Sequence, residues 1–74
     1  MINSEKLYFV NIRNTDMLYI CSDFYCVCYL VYDLSHINWL DMDDILIQSI
    51  DNNLEIEYYD SEFAYKYFVE DLAN

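Results

Sequence analysis

Ser22-Asp23-Phe24-Tyr25-Cys26-Val27-Cys28-Tyr29-Leu30-Val31-Tyr32 is the stretch on which the fold turns. From residue 24 on it is an unbroken run of nine apolar or aromatic residues. Such a run suits a strand buried on both faces, bounded here by the Ser22-Asp23 turn. Read this way, residues 24–32 are the longest strand of an antiparallel meander. A two-residue turn sets Cys21 opposite Phe24 and Tyr19 opposite Cys26. Tyr25, Val27, Tyr29 and Val31 then project from one sheet face, opposite Phe24, Cys26, Cys28, Leu30 and Tyr32. Both faces are apolar, and a short chain can cover only one of them with helices.

Outward from this run, Lys6–Ile12 reads as the first strand and residues 17–21 as the second, joined by a turn at 13–16. Ser35 to Asp51 supports two readings. Trp39, Met42, Leu46 and Ile50 recur at helical spacing, with Asp41, Asp43 and Asp44 where acids favour a helix start. The rival makes residues 45–50 a strand, as the β-branched isoleucines suggest; the helix is preferred here. Residues 54–59 alternate as a half-exposed strand, with Glu55 and Glu57 on the wet side. Asp60 or Ser61 caps a last helix to about residue 72, with Phe63, Ala64, Tyr67, Phe68 and Leu72 as its buried stripe. The expected fold is one α+β domain over residues 1–74: a small antiparallel sheet of three to four strands with one or two helices on one face.

The chain has 74 residues, no Gly and no Pro, and 57% of it is apolar. That is more apolar material than one small core absorbs, so some should be left for a partner or a second copy. Without glycine, any left-handed residue should be Asn or Asp, within Asn14-Thr15-Asp16, Ser22-Asp23 or Asp51-Asn52-Asn53. The apolar run is half the length of a membrane span, which needs about 20 residues. No signal peptide is read at the start, so the expected location is the cytoplasm.

Fourteen acids against three bases give a net charge of −11. Anionic partners, nucleic acid and membrane alike, are repelled by such a chain. The acids are unevenly spread. Residues 1–32 balance at −1, and residues 33–74, with eleven acids against Lys66, at −10. If ten charges lie along one side of a domain about 30 Å across, their density approaches that of a duplex, one charge per about 1.7 Å.

No catalytic motif is visible, and no enzyme activity or cofactor is expected. Cys21, Cys26, Cys28 and His36 do not match zinc-ligand spacing. The cysteines read as small buried hydrophobes and Trp39 as core. The acids Asp41, Asp43 and Asp44 lack the alternation and glycine of a calcium loop.

Residues 57–71, from Glu57-Tyr58-Tyr59-Asp60-Ser61-Glu62-Phe63-Ala64-Tyr65 to Val69-Glu70-Asp71, resemble a stretch of the ArdA antirestriction family. There an acidic Tyr-Asp-Ser turn opens a helix with Phe-Ala and a Val/Ile-Glu-acid ending. In size, acidity and α+β reading the chain is also similar to small phage-encoded anti-CRISPR proteins. These resemblances imply a DNA mimic that inhibits a basic, nucleic-acid-binding defence nuclease, either a CRISPR effector or a restriction enzyme. Asp41, Asp43, Asp44, Asp51 and Glu55 would imitate phosphates, as would Glu57, Asp60, Glu62, Glu70 and Asp71. Tyr58, Tyr59 and Tyr65 would add aromatic contact. The alternatives are an immunity protein or antitoxin against a basic toxin, and a homo-oligomeric structural protein pairing through the Tyr25/Val27/Tyr29/Val31 face.

Overall fold

A computed structural model describes residues 5–37 and 40–72. The chain runs β1 (Lys6–Ile12), β2 (Leu18–Cys21), α1 (Phe24–Leu34), β3 (Ile45–Asp51), β4 (Ile56–Tyr59) and α2 (Ser61–Tyr67). A single 3-10 turn, Met42–Asp44, precedes β3, and a wider π turn, Phe68–Leu72, extends α2. The four strands form one antiparallel sheet in the order β2-β1-β3-β4. The fold is therefore the expected α+β type, with two helices on one face of the sheet.

Residues 24–34 are a helix and not the long strand expected above. Asp23 decides this. Its backbone is extended, and its carboxylate accepts a 2.8 Å hydrogen bond from the Cys26 amide, closing the first turn. The alternative two-residue hairpin needs positive φ at its first central residue, Ser22, which serine does not adopt cheaply. Val27, Cys28, Val31 and Leu34 are buried at helical spacing, while Tyr25 and Tyr29 are exposed. The supposed Tyr25/Val27/Tyr29/Val31 sheet face does not exist. Its two valines are core, and its two tyrosines lie on the outer side of a helix.

Residues 45–51 are a strand, as the rival reading had it. Ile45, Ile47 and Ser49 are buried, and Leu46, Gln48 and Ile50 point the other way. The expected helical stripe of Met42, Leu46 and Ile50 is not formed. Seven cross-strand pairs, from Lys6↔Asp51 to Ile12↔Ile45, bind β3 to β1 along its whole length. That pairing, with β-branched residues at three of its seven rungs, outweighs the helical spacing. Trp39 lies outside the described residues.

The core fills the space between sheet and helices. Val10, Ile12, Val27, Cys28 and Val31 are at most 1% exposed. Around them runs a chain of rings: Tyr8 and Tyr59 against Phe24, Phe24 towards Phe63 and Tyr67, and Phe68 against Tyr29 and Tyr32. Of the expected buried stripe on the last helix, Ala64 is fully buried and Tyr67, Phe68 and Leu72 are partly so, but Phe63 is exposed. Asp60 occupies the cap position of α2 without a side-chain cap bond. Ser61 instead donates its hydroxyl to the Met42 carbonyl at 2.8 Å, tying α2 to the start of β3.

The turns follow the no-glycine argument once and break it once. Asn14 is left-handed, with φ 65, as expected. The other left-handed residue is Leu54, φ 63. Asp51 forces it. Its carboxylate accepts from the amides of Asn53 and Glu55, and its carbonyl accepts from Leu54. The Asx turn places the strain one residue past the asparagines, where a hairpin of this kind normally has glycine.

Two substitutions test these corrections. A left-handed leucine costs about 1–2 kcal/mol, part of which glycine returns through its unfolded-state freedom. Leu54→Gly should therefore raise the urea midpoint, by a stability gain of about 0.5–1 kcal/mol. Asp23→Ala should lower it by about 0.5–2 kcal/mol through loss of the α1 cap. No loss with Asp23→Ala would contradict the capped helix.

Candidate acidic and apolar surfaces

Antiparallel strands return both halves of the chain to the same two sheet ends. The division of charge along the sequence therefore becomes a different division in space. One end holds the β1–β2 loop, the 3-10 turn before β3, and the start of α2. It carries Asp16, Asp41, Asp43, Asp44, Asp60 and Glu62 against Arg13. The other end holds the start of β1 and the β3–β4 hairpin. With the Ser22-Asp23 turn that follows β2, it carries Glu5, Asp23, Asp51, Glu55 and Glu57 against Lys6. Glu70 and Asp71 lie apart from both, in the π turn of the helical layer.

Several of the thirteen expected contact residues are occupied within the fold. Asp44 faces Arg13, with Oδ1 3.5 Å from Nε, and the Arg13 Nη2 also donates to the Asp43 carbonyl. Asp51 is committed to its hairpin. Glu57 accepts from Lys6 Nζ at 2.9 Å and from the Tyr59 hydroxyl at 2.9 Å. The same hydroxyl meets the buried Ser49 hydroxyl at 3.0 Å. Lys6 holds the Glu57 carboxyl below its ordinary range, with the Tyr59 bond acting in the same direction. Glu57 in turn raises the Lys6 ammonium to about 12. Tyr59 is half-buried among rings, and Tyr65 stacks on Tyr32 at 5.8 Å. Neither tyrosine is a free contact residue. Tyr58 is, at 77% exposed.

What remains is concentrated at the first end. Asp41 and Asp60 occupy helix-cap positions but make no side-chain cap bond, and both are exposed. Asp43 and Asp60 flank a shallow cleft of about 240 Å³, whose wall includes Tyr58 and Leu46. Charge density along the molecule is lower than the sequence suggested. The long axis is 43 Å. A duplex of that length carries about 25 charges, against 14 acids in this whole chain.

Between the two acidic ends lies a surface the sequence reading did not find. The sheet face turned away from the helices carries Leu7 and Phe9 from β1, Leu18 and Ile20 from β2, Leu46 and Ile50 from β3, and Ile56 and Tyr58 from β4. Its other members are Asn11 and Gln48, so it bears no charged side chain. Ile20 is 63% exposed, Leu18 54% and Leu7 48%. Phe9, Leu18, Leu46, Gln48 and Tyr58 line a depression of about 350 Å³ in it. The sequence carries it only in the apolar runs Leu7–Val10 and Ile45–Ile47, in which both sides of a strand are apolar; the helical reading of residues 45–50 places the bare face at residues 25–31 instead.

Burial, with a bond to Cys26, pushes the Cys21 thiol up to about 12, and burial pushes Cys28 to about 11. Both therefore stay protonated and unreactive at neutral pH. Cys26 is exposed, unlike the buried hydrophobe expected. The His36 Nδ1 lies 2.7 Å from the Tyr32 carbonyl at the end of α1. Among the described residues, no three His, Cys, Asp or Glu are placed to hold a metal ion. No helix among them is long and apolar enough to cross a membrane. Comparison of the chain with protein-family models, with curated proteins and with solved structures finds no match.

The Glu57 contacts can be read directly. In a carboxyl-detected NMR titration, Glu57 should titrate below the ordinary glutamate range, and Lys6→Met should move it back toward that range. The linkage signs are opposite for the two partners. The stabilising contribution of Glu57 is present above its unfolded pKa and lost as pH falls through the lowered folded value. That of Lys6 is present below its unfolded pKa and lost as pH rises through about 12.

Proposed function

We propose that this protein is a stoichiometric inhibitor that places carboxylates in the basic groove of a nucleic-acid-binding defence nuclease, a CRISPR effector or a restriction enzyme. The observation that carries this reading is the acidic end. Asp41, Asp43, Asp60 and Glu62 are exposed at this end of the sheet, and two of them, Asp43 and Asp60, line a shallow cleft with Tyr58. Two adjoining elements hold them there, joined by the Ser61–Met42 hydrogen bond. Carboxylates on such a fixed support meet Lys and Arg without further ordering cost, and the field of the whole chain steers the encounter.

The lower charge density limits what is imitated. The acidic end matches a short run of phosphates and not an extended duplex. Asp44 and Glu57, already paired with Arg13 and Lys6, contribute less than the sequence suggested, and Tyr59 and Tyr65 serve the core. The resemblance of residues 57–71 to antirestriction proteins fits the same end, because its Tyr-Asp-Ser turn is the junction of β4 with α2.

The test is a nucleic-acid cleavage assay on purified CRISPR effectors and restriction enzymes, with the protein added at known ratios. The expected result is inhibition at one equivalent that weakens at least tenfold between 50 and 500 mM salt. Asp41→Asn/Asp43→Asn/Asp60→Asn should weaken it by a further factor of about ten or more. Glu70→Gln/Asp71→Asn should weaken it less. Inhibition indifferent to the triple substitution and to salt would contradict the proposal.

A further inference from the structure

We propose that the charge-free outer face of the sheet is a dimer interface, occupied by the same face of a second copy of this chain. This goes beyond the inhibitory reading and does not depend on it, because it uses a different surface.

Area is the first argument. Eight large apolar side chains, most of them near half exposed, stand on this face. Soluble monomers rarely expose an apolar patch of more than about 300–600 Å². At on the order of 100 Å² for each of the six most exposed side chains, with less from Phe9 and Ile50, this face offers roughly 600–700 Å², within the roughly 600–1,000 Å² that standard stable interfaces bury per partner. Leu54, 75% exposed, carries the apolar surface on to the hairpin tip, where it shares a cleft with Leu7 and Ile50.

Charge selects the occupant. In a chain of net charge −11, ten positions of one face hold no charged side chain, and the acids stand at the two ends of the sheet and in the helical layer. A basic partner seated here would lose water from its Lys and Arg with no carboxylate to receive them, a cost of several kcal/mol per ion. A neutral face is matched by a neutral face, and the second copy supplies one. Its polar members suit a two-fold arrangement. Gln48 has both a donor and an acceptor, so two copies can pair reciprocally. Aligned sheets pack about 10 Å apart, which leaves the acidic ends of both copies in water.

This geometry gives the dimer a salt dependence opposite to that of inhibitor binding. Two copies of charge −11 repel, and salt screens the repulsion over about 8 Å at physiological strength. Sedimentation equilibrium between 5 and 200 µM should show twice the 9.0 kDa chain mass, with a dissociation constant at least tenfold lower at 500 than at 50 mM NaCl. Leu46→Lys, in the middle of the face, should weaken the dimer at least 100-fold even though it lowers the net charge. Leu18→Lys, on the edge strand, should act in the same direction. Tyr25→Lys, on the outer side of α1, should leave the dimer unchanged. Far-UV circular dichroism establishes that each variant is folded. A chain mass of 9.0 kDa at 200 µM in 500 mM salt would overturn the proposal and leave the face to a different partner. A dimer that survives folded Leu46→Lys and Leu18→Lys would overturn it equally, because β3 is internal to the sheet and an edge-to-edge dimer would not involve it. The Asp41/Asp43/Asp60 triple amide should tighten the dimer while weakening inhibition, so the two proposals fail separately.

Discussion

The pairing of β1 with β3 is the interaction on which the rest of the molecule depends. Its seven cross-strand rungs join residues about forty positions apart and place Val10, Ile12, Ile45 and Ile47 under the helices. The same rungs send Leu7, Phe9, Leu46 and Ile50 to the opposite side, because side chains alternate along a strand. One ladder thus creates both the buried core and the bare apolar face. It also fixes where charge can go. With one face packed and the other apolar, the carboxylates are left to the ends of the strands and the helical layer. The acidic ends and the neutral face are two consequences of one pairing.

Some of this was legible from the residues alone. Lys6–Ile12 reads as a strand and is found with the expected bounds, and Asn14 makes its turn. The β4-to-α2 junction follows from the strand read to Tyr59 and the Asp60-Ser61 start signal, although β4 begins only at Ile56 and its apolar side, Ile56 and Tyr58, faces outward. The α+β class follows from these parts even with errors elsewhere. Phe24 to Tyr32 could not be decided by periodicity, because a run in which every residue is apolar satisfies both periods. The decisive feature is the pair before it: Asp23 is a good helix cap, and Ser22 is a poor residue for the left-handed position of a tight hairpin. Residues 45–50 failed for the opposite reason. Their helical spacing was local, and the pairing that overrode it came from a strand far away in sequence.

The candidate sites were legible in composition but not in arrangement. That the acids matter could be read from the total charge. Their position could not, because a chain that folds back on itself does not preserve a division into first and second halves. Asp16 and Glu5, from the nearly neutral part, join the two acidic ends, and Asp44 and Glu57 are drawn into ion pairs with Arg13 and Lys6. Leu54 shows the limit of residue-type rules. The no-glycine argument pointed to Asn52 or Asn53, but the Asp51 carboxylate fixed the turn so that the left-handed position fell on a leucine, which lies exposed beside the apolar face.

The central claim is that the uncovered sheet face, and not the outer side of α1, is the apolar surface withdrawn from water in solution. Solvent paramagnetic relaxation with a neutral soluble probe, read at methyl and aromatic protons, measures this directly. At 200 µM in 500 mM salt, Leu18, Ile20, Leu46 and Ile56 should be protected relative to a 5 µM sample, while Tyr25 and Tyr29 stay accessible at both concentrations. Sheet methyls that remain as accessible as Tyr25 and Tyr29 at the higher concentration would contradict the account.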